Sequence, residues 1–479
     1  MKKIFKLSFL SLLFFIASCE KKSSLTIITD TNDDINYFIW KGMNAYYLWQ
    51  NDVPALSDNR FANFDDLYTY FRGFGSPESV FNSVLYQQGT IDRFSWIVDD
   101  YEELENSFQG INLSNGIEFG LVQNYDGSQN IFGYVRYVLP NSPADIGGVA
   151  RGMIFNSIDG NQLTITNYRD LLFSDNTSYT VGFADFNDGN PVTNSNSVIL
   201  NKTELQEDPI AITKVFEEGD KKIGYLLYNQ FASSFDNQLN DAFSVFKSSG
   251  VNELIVDLRY NGGGSVQTAT YLGSMITGQF NNQVYSKESW NDKVKAAFDA
   301  DQFLNNFTDN IDNTPINSLG LESVYFIVSG SSASASELVI NSLNAYIDVK
   351  LVGTTTVGKQ VGSITLYDSD NLRKDNANLN LDHKYAIQPL VLEIVNKNDE
   401  NEINGFTPGE NITGINLKED YGNLGILGER SDPLLDRTII YITTGSKSSS
   451  NEKANIKNNE VYNSKLATPS SNNMFSKLK

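Results

Sequence analysis

The chain has 479 residues, 58 acidic against 36 basic side chains, a net charge of −22, one Cys and one His. One of each cannot assemble a zinc centre of His and Cys ligands or an intrachain disulfide. The acidity disfavours nucleic acids and anionic membranes as partners, because those contacts rest on clustered Lys and Arg. A Ser-His-Asp hydrolase would have to use His383 alone, so any hydrolase here is expected to have another base. At 40% hydrophobic and 12% aromatic residues the chain can bury substantial cores, and its length suggests about two to four domains.

Residues 1–18 combine a basic start (Lys2, Lys3, Lys6), a short apolar run from Leu7 to Ile16 and a small-residue exit. This is the pattern of a secretory signal, too short for a membrane-spanning helix. Ile16-Ala17-Ser18-Cys19 resembles a bacterial lipobox, which implies cleavage before Cys19 and lipidation of its thiol. The alternative is an ordinary signal peptide with an incidental Cys. Cleavage there removes three Lys and no acid, taking the charge from −22 to −25. The chain is then expected to be a soluble body on a lipid tether (19–33) at the cell envelope, facing the periplasm or the cell surface.

Ile35, Ile39, Met43, Tyr46, Tyr47 and Leu48 recur near helical spacing, which opens a helical region spanning 34–108. Its aromatic stripe reads as core. Residues 109–205 change to short alternating runs broken by Gly, Asn and Asp, the pattern of strands and turns. Residues 206–445 alternate apolar strands (KKIGYLLYNQF, NELIVDLRY, VYFIVSG, VKLVGTT) with helices, which predicts an α/β layer around a mainly parallel sheet. Beyond Gly445 the composition turns to Ser, Asn and Lys, and 446–479 is expected to be a disordered tail.

Within 109–205, Ser142-Pro143-Ala144, Gly148, Gly152 and Asp159-Gly160 resemble the pattern of a PDZ domain of the bacterial protease type. Met153 stands where that pattern usually has Asp. By the same resemblance Phe119-Gly120-Leu121 matches the apolar-Gly-apolar loop that receives a peptide C-terminus. The alternative is an unrelated small β domain.

The segment VYFIVSGSSASASELVINSLNAY runs from a strand through small residues into a helix, with Ser334 at the junction. A hydroxyl there is exposed on a tight turn beside amides that open a helix. Ser334-x-x-Glu337 is also a capping box, and capping is the commoner use of such a Ser. The next strand leads to Gly358-Lys359, with Lys359 25 positions after Ser334. One strand-helix-strand unit can bring the two together. Lys359 can act as a base only if burial keeps it neutral, and otherwise it is a surface Lys on a turn.

GSSASASE and VGKQ together resemble the signature of the S41 serine peptidases, the C-terminal processing or tail-specific protease family. The resemblance implies Ser334 as nucleophile, Lys359 as general base, a metal-independent reaction without cofactor, and a ClpP/crotonase-like α/β core beside a PDZ-like β-rich domain and a small helical N-terminal domain. ELIVDLRYNGGG resembles the family's "DLR.NPGG", which implies an oxyanion hole from the N–H groups of Gly263 and Ala335, with Gly262 standing where Pro is usual. Asp92-Arg93-Phe94-Ser95 and Gly405-Phe406-Thr407-Pro408 echo further family segments. The usual Gln four residues after the Lys is Ser363 here, while Gln360 follows Lys359 directly, so the third catalytic member stays open between them. Implied partners are protein or peptide substrates, and the membrane only through the N-terminal lipid. A homo-oligomer stays open. Rival readings are an inactive peptide-binding scaffold of the same fold and a hydrolase based on His383, although no motif around that residue offers it a partner.

Overall fold

The computed structural model describes residues 31–447 and 460–476. The expected signal peptide, Cys19 and most of the tether lie outside the described residues. The N-terminal helix spans Thr31–Tyr46, with Asp33 and Asp34 in its first turn, where acidic side chains complement the helix dipole. Its buried residues Ile35, Phe38, Ile39 and Met43 belong to the same apolar cluster as Val339 and Leu392. The helical region therefore shares its core with 206–445.

The β-rich unit is a seven-stranded sheet whose main path, named by residues, runs 460–463, 117–123, 131–138, 154–158, 178–185 and 192–201. Ser142 caps the short Pro143–Ile146 helix, its hydroxyl accepting from Asp145 N at 3.2 Å. Phe119-Gly120-Leu121, expected as a loop, lies inside the Ile117–Gln123 strand. The alternation of Ile117, Phe119 and Leu121 into one core explains this, since period-2 burial specifies a strand.

The α/β layer is a six-stranded sheet in the order Ile210–Glu218, Lys221–Tyr228, Glu253–Asp257, Ser323–Val328, Asp348–Gly353 and Gly414–Asn416. Every pairing is parallel except that of the first strand. Helices Asp236–Ser249, Val266–Ile276 and Ala335–Asn344 cover one face, burying Phe243, Leu272 and Val339. Helix Pro433–Thr444 covers the other through Leu435 and Ile439. Burial on both faces is why these strands are continuously apolar.

Residues 460–476 correct the expectation of a disordered tail. Glu460–Asn463 pairs antiparallel with Ile117–Gln123, and Met474–Phe475 lies between Gly264–Ser265 and Val361–Ser363 in a second six-stranded sheet. Met474 is fully buried. The local composition is polar, and the order comes from partners more than a hundred residues away.

Candidate active site

Ser334 sits between the Ser323–Val328 strand and the Ala335–Asn344 helix with φ +65° and ψ −116°. A positive φ is costly for a residue with a Cβ and persists only when neighbours over-determine it. The small-residue run supplies those neighbours. Ser332 Oγ donates to Leu258 O (2.7 Å), Ser336 Oγ to Asn261 O (3.0 Å) and Ala333 N to Asn261 O (3.2 Å). The turn after Glu253–Asp257 thus holds the turn before the helix. Ser334 N donates to Glu337 Oε2 at 2.9 Å, whereas the buried Ser334 hydroxyl donates to no acceptor among the described residues. Ala335 opens the helix, so its N–H belongs to the first-turn amides without an intrahelical acceptor.

Glu337, read from sequence only as a cap, is fully buried and accepts four hydrogen bonds. Besides Ser334 N, the donors are Thr356 Oγ1 (2.5 Å), Gly358 N (2.6 Å) and Lys359 N (2.8 Å). One carboxylate therefore ties the start of the Ser334 helix to the Lys359 loop. Burial raises its pKa above the usual carboxylate range, against the pull of these donors. Gly358 (φ +79°) lets the loop pass close to Ile403, whose carbonyl would lie 2.2 Å from an added Cβ.

Lys359 is 1% exposed, and burial pulls its pKa down to about 7, opposed by the charges of Asp92 and Glu337. Among the described residues no carboxylate lies within ion-pair distance of it. Its Nζ lies 4.7 Å from the Phe94 ring centroid. The neighbouring Arg93 donates to Gly358 O at 3.3 Å, so the Asp92–Ser95 segment forms one wall around the amine. Nζ donates to Asn472 O (2.5 Å) and lies 3.5 Å from Asn473 Oδ1. In this structure the amine bonds to residues 472–473 rather than to Ser334.

Gly263 (φ +117°) packs against Ser334. A Cβ there would lie 2.7 Å from Ser334 Cβ, 3.0 Å from Ser334 Oγ and 2.9 Å from Asn473 O. The sequence gives no sign that Gly263 N donates to Asn261 Oδ1, at 2.9 Å. Gly262 lines a cavity of about 810 Å³ that runs between the β-rich unit and the α/β layer. Of the two candidates for a third member, Ser363 Oγ donates to Asn473 Oδ1 (2.8 Å), and the buried Gln360 has no hydrogen-bond partner among the described residues for either polar side-chain atom. Phe119, Gly120 and Leu121 stand apart from this cluster, on the strand that pairs with 460–463.

Beneath the Gly263 turn lies a charged cluster that sequence reasoning also missed. Arg259 is fully buried and bonds Asp257 Oδ2 (2.6 Å), Asp432 Oδ1 (3.1 Å) and Glu419 Oε1 (3.2 Å). The acids come from three separate segments, so only the fold reveals the cluster. His383 is remote from it in chemistry, bonding Asp368 Oδ2 at 3.0 Å and the Tyr385 amide.

Residues 222–389 match the family model described as Peptidase family S41, and residues 34–96 match Peptidase S41 N-terminal domain. These two stretches of the chain are similar to the peptidase and N-terminal domains of family S41. A "Probable CtpA-like serine protease" of Staphylococcus epidermidis is 27% identical over 167 residues, 35% of this chain and 31% of that protein. One of the same name from Staphylococcus aureus is 24% identical over 170 residues, 34% of this chain and 30% of that protein. The chain thus matches about a third of the length of these curated relatives. The crystal structure of "Putative S41 protease from Bacteroides fragilis NCTC 9343" superposes with a TM-score of 0.65 at 23% identity, covering 85% of this chain and 97% of that one. The mixed α/β fold is that of S41 protease structures. Ser334, Glu337 and Lys359 all fall inside the S41 match.

Proposed function

We propose that the protein is a serine endopeptidase that hydrolyses peptide bonds of envelope or exported proteins, with Ser334 as nucleophile and Lys359 as general base. The observation that carries this reading is the pairing of a strained, buried serine whose hydroxyl proton has no acceptor among the described residues with a desolvated lysine that has no carboxylate partner among them, both held by Glu337. A lysine with a pKa of about 7 is neutral in a large fraction of molecules at neutral pH and can accept a proton.

In the proposed reaction Lys359 Nζ takes the proton of Ser334 Oγ as that oxygen bonds to the substrate carbonyl carbon. The Ala335 N–H stabilises the oxyanion, joined by the Gly263 N–H once the Asn261 side chain turns away from it. Collapse expels the amine, which takes the proton from Lys359, and leaves an acyl-serine that water resolves. Lys359 must first exchange its bond to Asn472 for one to Ser334. Gln360 and Ser363 stay the two candidates for steadying the amine, and Ser363 is favoured because its hydroxyl and Lys359 Nζ share the acceptor Asn473 Oδ1. The reading needs no metal or cofactor.

The β-rich unit acts in this reading as a PDZ-like domain whose Ile117–Gln123 edge receives a substrate strand. Lipidation at Cys19 would hold the enzyme at the envelope. Among the described residues no helix is long and apolar enough to cross a membrane. The test is cleavage of an unfolded protein by purified Ser334→Ala and Lys359→Ala variants. Both are expected to lose activity by at least about a hundredfold, and undiminished turnover in either sinks the dyad.

A further inference from the structure

The segment 460–476 runs along the β-rich unit and into the Ser334 site as a strand (Glu460–Asn463), two 3-10 turns (Ser464–Ala467 and Pro469–Asn472) and a second short strand (Met474–Phe475). Glu460–Asn463 adds a strand to Ile117–Gln123, with Asn463 opposite Gly120 and Tyr462 opposite Leu121. The Glu460 carboxylate crosses Gly120, where an added Cβ would lie 2.2 Å from Oε2. It accepts from Arg136 Nη2 (2.6 Å) and Tyr134 OH (2.6 Å). Further on, Asn472 O and Asn473 Oδ1 meet Lys359, and Met474–Phe475 pairs with both flanking strands.

Between these two anchors the segment borders the cavity that reaches Gly262. Carboxylates dominate that cavity, among them Glu118, Asp175, Glu204 and Glu207, with Lys202 and Lys465 as its lysines. Lys465 belongs to the segment itself. Its Nζ donates to Asn229 O (3.1 Å) and lies 3.6 Å from Glu207 Oε2 and 5.7 Å from the Tyr137 ring centroid. Glu207 is held in place by Tyr137 OH (2.7 Å) and Asn229 Nδ2 (2.8 Å). Asn229 is 2% exposed, and its Oδ1 has no hydrogen-bond partner among the described residues. The site therefore holds a buried acceptor that a single ammonium leaves unengaged. Charge agrees at larger scale, since residues 446–479 carry six Lys and two Glu within a chain of net charge −22.

We infer that residues 460–476 occupy the track on which this enzyme binds polypeptides, and that Lys465 marks a subsite, built by Glu207, Asn229 and Tyr137, for a basic side chain of the bound peptide. The substrate class is then a polypeptide that pairs as a strand with Ile117–Gln123 and carries Lys or Arg in the turn that follows, before the part that meets Lys359, and it competes with the chain's own segment. A guanidinium has donors enough to reach both Glu207 and the open Asn229 oxygen. The inference rests on the peptidase reading for what the track is used for, while its test measures binding alone.

Full-length Ser334→Ala protein is compared with full-length Ser334→Ala/Lys465→Glu protein, in which the resident segment carries the wrong charge for its subsite. The probes are a fluorescent peptide EVYNSKLATPSSNNMFS, the sequence of 460–476, and the same peptide with glutamate or arginine replacing its lysine, read by anisotropy. The lysine peptide is expected to bind the doubly substituted chain about tenfold more tightly than the singly substituted one, and about tenfold more tightly than the glutamate peptide. The arginine peptide should bind at least as well as the lysine peptide. Adding Glu207→Gln should reduce the preference for lysine over glutamate about threefold or more. Should that variant not fold, the lysine and glutamate peptides on the first two chains still decide. Equal binding of those two peptides, or no binding of the lysine peptide to either chain, overturns the inference. Loss of the peptidase reading would instead appear as active Ser334→Ala enzyme, with peptide binding intact.

Discussion

Arg259 and Lys359 are two cations with almost no exposure to water, one beneath the Gly263 turn and the other on the loop that Glu337 ties to the Ser334 helix. Arg259 meets three acids, so its charge is compensated where it lies. Lys359 meets a phenyl ring, a backbone carbonyl and an amide oxygen. Both burials are expensive for a charge. In the first case the acids offset the cost and the guanidinium stays charged, fixing the turn. In the second the cost stands, and it appears as a pKa drawn down to about 7. Compensated burial makes a structural cation, and uncompensated burial makes a base.

Methionine substitutions at the two positions break the comparison most sharply. Lys359→Met should lower kcat by about 10²–10⁴-fold, the usual range for loss of a general base, measured on a protein substrate. Arg259→Met should cost about 3–5 kcal/mol in urea unfolding, because Asp257, Asp432 and Glu419 are left buried together. Lys359→Met should have the opposite sign and depend on pH. The unfolded lysine keeps its proton up to about 10.5 while the folded one loses it near 7, so the native protein bears the penalty fully below pH 7 and progressively less up to about 10.5. The variant is therefore stabilised at pH 6, by roughly 3–5 kcal/mol, and the gain fades toward pH 10. A pH-independent difference between variant and parent would remove the uncompensated lysine from the argument.

Glu337→Gln sharpens the contrast by removing a charge that acts on Lys359 without replacing either dyad member. Hydrogen bonds to a carboxylate are worth about 1.5–3 kcal/mol each, so kcat should fall about ten- to a hundredfold, with KM changed less. The Glu337 charge raises the Lys359 pKa. Its removal should move the rising limb of kcat/KM against pH, centred near 7 in the parent, toward lower pH. A fall in kcat with an unmoved limb would leave Glu337 a purely structural tie.

Much of this site was legible because its signals are local. Strand, small residues and helix around Ser334 occupy the 22 consecutive residues 323–344, strand, turn and Lys around Lys359 the 12 residues 348–359, and the alternation of elements implied their convergence. Glu337 was visible only as a cap, since three of its four donors lie on or beside another element. Asn261 gave no signal, because a side chain that satisfies a neighbouring amide has no sequence pattern of its own. Phe119–Leu121 was placed in a loop by resemblance although its own alternation specified a strand. The segment 460–476 was missed for a general reason. Its order comes from backbone pairing with strands near residues 120, 264 and 363, and such pairing is set by the surface it meets rather than by composition.

That segment is joined to the rest of the chain through residues 445–459. Two groups on one chain meet at an effective concentration set by the length of chain between them, commonly of about millimolar order. Diluting the protein therefore does not vacate the track, and a free peptide of equal intrinsic affinity must approach millimolar levels to share it. Turnover on dilute substrates would then be governed by how often residues 460–476 let go, so loosening that segment should raise kcat/KM without any change in the chemistry at Ser334.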